Sequence, residues 1–106
     1  MNYMNIIMDT LGSRTPRAAG VCCAAFVKRL RMHGWSREAV DGVKVQAIDE
    51  MREAFDDCSS HLASNCVRLL ESGEDFTEER LRDLVEAEVF AEFALLGIRV
   101  ADSFDL

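Results

Sequence analysis

Apolar side chains recur every three or four residues along most of this chain and nowhere alternate over a run bounded by hairpin turns, so the pattern predicts helices and no sheet. The first stripe is Tyr3, Ile7 and Leu11, with Met4 and Met8 beside it, and Gly12 is placed to close this short helix. Ser13 or Thr15 before Pro16 reads as a second start, a cap residue followed by proline at the first helical position. Ala19, Val21, Cys22, Cys23, Phe26, Val27 and Leu30 then nearly encircle the chain, which predicts a central helix from about Pro16 to His33, deep in the core. Lys28, Arg29, Arg31 and His33 suit the negative end of its dipole, and Gly34 ends it.

Trp35 marks a junction, and Ser36 can cap a further helix with Glu38 in its first turn. Val40, Val43, Ala47, Ile48, Met51, Phe55, Cys58, Leu62, Cys66 and Leu69 keep one phase to about Glu71. A single helix of that length far exceeds the usual 11–12 residues. The expectation is therefore a break, at Gly42 or at Asp57-Cys58-Ser59-Ser60, whose short polar side chains compete for backbone hydrogen bonds. Ser72-Gly73 stops the segment. Thr77 caps the next helix, Phe76 and Leu81 are spaced as a hydrophobic staple, and Glu78 and Glu79 favour the positive end of the dipole. That helix is expected to reach Leu96 and end at Gly97, with Ile98, Val100, Phe104 and Leu106 docking a short tail. The reading is an all-α fold, a compact single-domain helical bundle of about four to six helices spanning residues 1–106.

A hydrophobic content of 49% in 106 residues suffices for one modest core. Apolar stretches such as Val21–Val27 fall far short of the roughly 18 residues a membrane span needs, and the first residues lack the basic region of a signal peptide. A soluble, cytoplasmic protein is expected. Cys22, Cys23, Cys58 and Cys66 fit that setting as free thiols, because a vicinal bridge is strained. A metal- or thiol-dependent reading rests on Cys58, His61 and Cys66, but it lacks a fourth ligand and any oxyanion-hole turn. Neither G-x-G-x-x-G, nor G-x-x-x-x-G-K-[ST], nor a D-x-[DN]-x-[DN]-G loop occurs. No enzyme activity, cofactor or metal is expected.

Charge changes the picture most. Residues 1–37 carry six Lys/Arg and one acid, whereas residues 38–106 carry six Lys/Arg and eighteen acids, for a net charge of −7. The basic residues before Gly34 fill one helix turn that already favours cations, so direct nucleic-acid binding is not expected. Acidic density peaks between Glu71 and Glu92, where nine carboxylates meet only Arg80 and Arg82. Glu71, Glu74, Asp75, Glu78, Glu79, Asp83 and Glu86 flank a helix end, a turn and a helix start. They form a candidate corner for docking onto a basic surface of a protein partner. Glu88 and Glu92 share the apolar sector of Leu81 and Val85, so each needs a basic side chain such as Arg14, Arg17, Arg52 or Arg99, or an opening to solvent or a partner. The alternative is a helical adaptor or self-associating regulator that uses an apolar surface at Met4, Ile7, Met8 or Val89–Leu96. A monomer is slightly favoured over a homodimer.

A small acidic helical chain without catalytic or cofactor motif resembles, in size, charge and architecture, the single-domain inhibitors that phages encode, anti-CRISPR proteins in particular. The resemblance implies a Cas subunit as partner, with its basic DNA-binding or RNA-binding surface occluded.

Overall fold

The structure, a computed structural model, describes residues 2–104. Three helices make up the fold: α1 Tyr3–Met32, α2 Arg37–Leu70 and α3 Glu78–Phe104, with no strand among the described residues. The all-α class holds, but the expected four to six helices are three long ones. None of the three expected interruptions occurs, each for its own physical reason.

In α1, neither Gly12 nor Pro16 ends the helix. Pro16 cannot donate to the carbonyl four residues back. It is exposed, and the hydroxyls of Thr10, Ser13 and Thr15 donate to the carbonyls of Ile6, Thr10 and Leu11 at 2.7, 3.2 and 2.7 Å in this stretch. The helix is also anchored on both sides of the proline, by an Arg14–Glu86 ion pair at 3.1 Å and by the fully buried Ala18. Tertiary packing outweighs the local preference.

In α2, neither Gly42 nor the Asp57–Ser60 stretch breaks the helix, because Val40, Ala47, Met51, Leu62 and Cys66 form one buried stripe that bridges both. At 1.5 Å per residue, 34 residues span about 51 Å. That matches the 50 × 22 × 20 Å extents of the molecule, so the expected compact bundle is an elongated one. Its radius of gyration is 15.8 Å, against about 13 Å for a compact domain of this length.

In α3, Gly97 is buried mid-helix. A β-carbon there would drive into the carbonyl of Cys22 and lie 3.1 Å from the Phe26 nitrogen. Gly97 therefore allows the backbones of α1 and α3 to touch, and the helix continues to Phe104. The ring of Phe104 meets Phe26 edge-on at 6.0 Å, which docks the end of α3. Leu106 lies outside the described residues.

The helix ends follow their sequence signals. Ser36 accepts from the Ala39 N–H at 3.1 Å, and Thr77 accepts from the Arg80 N–H at 3.1 Å. Gly34, at φ +88°, donates to the Arg31 carbonyl, while the Trp35 N–H donates to Leu30, both at 3.1 Å; this is a Schellman closure. Gly73, at φ +72°, turns the chain after α2. Phe76 and Leu81 are both buried, as a staple requires.

The chain runs up, down and up, so α1 and α3 are parallel and α2 is antiparallel to both. Contacts between α1 and the α3 side keep a nearly constant offset in sequence. Tyr3 meets Phe76, Asp9 meets Arg82, Arg14 meets Glu86, Cys22 meets Gly97 and Arg29 meets Asp102. Buried residues from all three helices form one hydrophobic core. Among the described residues, no helix is long and apolar enough to cross a membrane.

Candidate functional site: the acidic turn between α2 and α3

The acidic corner lies at one tip of the rod, where α2 ends and α3 begins. Its scaffold is anchored from below. Tyr3 packs edge-on against Phe76 at 6.1 Å, accepts from the Phe76 N–H at 3.2 Å and donates to the Phe76 carbonyl at 3.4 Å. Ser72 closes the other side, donating to the Leu69 carbonyl at 2.9 Å and accepting from the Glu74 N–H at 3.3 Å. A turn held at both ends leaves its backbone with little entropy to lose on binding.

The structure divides the seven carboxylates into two groups. Glu78 pairs with Arg82 at 2.9 Å, Glu86 with Arg14 at 3.1 Å, and Glu74 reaches Arg80 at 3.9 Å. Arg82 also holds Asp9 of α1 at 3.1 Å, which ties the start of α3 to α1. Glu71, Asp75, Glu79 and Asp83 are exposed and form no ion pair among the described residues. Glu79 and Asp83, one helical turn apart, border a shallow hollow with Thr77, Arg80 and Leu84. The i,i+4 spacing of Glu78 and Arg82 was readable in the sequence. The Tyr3 tether and the Asp9 and Arg14 contacts were not, because they depend on α1 lying parallel to α3.

Glu88 and Glu92 stand apart from this group, as their sector implied. The Glu92 side chain is 18% exposed and faces Arg99 at 4.0 Å, one of the four basic residues foreseen for it. Glu88 is half-buried near Cys66 and is in no ion pair among the described residues. Arg14 goes to Glu86 instead.

No family model, curated protein or solved structure matches this chain.

The thiols do not assemble into a site. All four cysteines are free. Cys58 and His61 line a cleft between α2 and α3 with Asp57, Glu92 and Arg99, while Cys66, two turns further along α2, is buried in the core. Among the described residues, no three His, Cys, Asp or Glu side chains are placed to hold a metal ion. Burial, reinforced by Glu92 and opposed by Arg99, raises the Cys58 pKa. Burial and then Glu88 push the Cys66 thiol up to about 11. Both shifts favour the thiol over the nucleophilic thiolate.

Proposed function

We propose that this protein is a non-enzymatic binder that docks the turn between α2 and α3 onto a basic surface of a protein partner. The reading rests on one observation. Beside three carboxylates neutralised within the chain, Glu71, Asp75, Glu79 and Asp83 stay exposed and without an ion pair among the described residues.

Local stability gives no reason for Glu71. It caps the C-terminus of α2, where the dipole favours a cation. Residues that break a local rule without local compensation are expected at functional sites. Glu78 and Glu79, by contrast, suit the start of α3. An anionic tip on a narrow rod is shaped to enter a groove, and electrostatic attraction would speed the encounter. The partner class this suits is a protein whose cationic groove ordinarily holds nucleic acid. A nucleic-acid-handling Cas protein blocked in the manner of an anti-CRISPR inhibitor is the specific form we propose.

The test is capture of partners from the source cell at low salt and at about 0.5 M salt, where exposed charges are screened beyond a few ångströms. A captured protein that is released by salt, and is lost when Glu71, Glu79 and Asp83 are all changed to Lys, supports the reading. Capture that survives this triple reversal overturns it. Circular dichroism of the variant checks that the helices remain.

A further inference from the structure

Ile7 is fully buried, and within Val89–Leu96 only Leu95 is a large exposed hydrophobic residue, so the apolar surfaces foreseen from the sequence shrink to Met4, Met8 and Leu95. At the end of the rod away from the acidic turn, a basic surface takes their place. Val27 and Arg31 of α1 and Arg37, Val40, Asp41 and Lys44 of α2 line a hollow of about 270 Å³ there. Val40 is buried and forms an apolar floor, while Arg31, Arg37 and Lys44 stand exposed around it. The Arg31 guanidinium is held in place, its Nη1 donating to the Trp35 carbonyl at 2.9 Å. Acids outnumber Lys and Arg by 19 to 12 in this chain, yet none of these three cations is in an ion pair among the described residues. Asp41 has the i,i+4 and i,i+3 spacing to meet Arg37 and Lys44, and pairs with neither. Arg37 also opens α2, where the dipole disfavours a cation.

We propose that this hollow binds a small organic phosphate through its phosphate group. Charge and size select the occupant. Three cations and one carboxylate give the hollow a local charge of +2, which matches a phosphomonoester dianion. The planar forks of Arg31 and Arg37 suit phosphate oxygens, and Lys44 adds a point charge. The volume falls just below the roughly 300–1,000 Å³ of drug-sized ligand sites, so the ligand is small. A net charge of −7 repels a long polyanion such as nucleic acid. A small anion inside the hollow is screened from carboxylates more than about 8 Å away and responds to the local cations. Asp41 is the one acid in the lining. It repels a free phosphate but can accept from a hydroxyl of an attached sugar, so it favours the organic phosphate over the inorganic ion.

Amide chemical shifts of the isotope-labelled protein, followed while ribose 5-phosphate is added to about 10 mM, test this at the millimolar-or-tighter affinity that a few exposed charges supply. Saturable shifts should be confined to Val27–Lys44, the Trp35 indole among them, and ribose alone should cause none. Inorganic phosphate should bind the same residues more weakly, and Asp41→Ala should narrow that difference. Arg37→Ala combined with Lys44→Ala should weaken binding by about tenfold, since each removes one exposed charge pair. Both positions are exposed, so the helical circular dichroism should not change. Overturning results are an absence of saturable shifts, shifts centred elsewhere, a double variant that binds like the parent, inorganic phosphate binding as tightly as ribose 5-phosphate, or a single-stranded oligonucleotide binding more tightly than either. The acidic turn is separate. The double alanine variant should keep salt-sensitive partner capture, and the triple lysine variant should still bind ribose 5-phosphate, so failure of one proposal is distinguishable from failure of the other.

Discussion

Gly97 and Gly42 carry opposite consequences although both sit inside helices. Beside Gly97 the Cys22 backbone leaves no room for a methyl group, whereas nothing lies within 4 Å of a β-carbon at Gly42. Gly97→Ala should destabilise the protein by about 2 kcal/mol or more, since overpacking outweighs the gain in helix preference. Gly42→Ala should stabilise it by about 0.5–1 kcal/mol. Urea midpoints decide both, and a neutral Gly97→Ala would show that the helices do not touch there. The thiols supply a second residue-scale expectation. Burial, with smaller contributions from Cys23 and Cys58 for one thiol and Glu88 for the other, pushes Cys22 and Cys66 from 9.0 up to about 11. The folded state then keeps protons that the unfolded chain releases. Stability should be fully present below about pH 9 and fall toward pH 11, by about 1 kcal/mol per pH unit for each thiol. Replacing both by Ala should flatten this alkaline decline, and an equally steep decline in the variant would refute the assignment.

The helices are tied together unequally. Side-chain ion pairs between helices, Asp9–Arg82, Arg14–Glu86 and Arg29–Asp102, join α1 to α3. Apolar packing holds α2, through Val40, Ala47, Met51, Leu62 and Cys66 and the Phe55–Phe93 ring contact at 5.2 Å. Hydrogen exchange should therefore find α2 amides opening at lower free energy than the centres of α1 and α3, and equal protection across all three would contradict this. The limits of the sequence follow the same division. Ser36, Gly34, Gly73 and Thr77 mark their helix ends because capping is settled within a few residues. Gly12, Pro16 and Gly97 misled because a neighbouring helix decides what becomes of them. The acidic turn was legible as a run of charge. Its separation into paired and unpaired carboxylates was not, because Arg14 comes from a helix 72 residues away.

At the scale of the whole molecule, the rod carries its anionic turn at one end of its long axis. Capture through Glu71, Glu79 and Asp83 should weaken as ionic strength rises. An odd number of long helices also places Tyr3 and Phe104 at opposite ends of a molecule 50 Å long. Tension applied between those ends would act along the α1–α3 interface, loading its ion pairs and the Gly97 contact together in shear instead of peeling them apart one by one. The parallel register of α1 and α3 thus gives the protein mechanical resistance along its long axis.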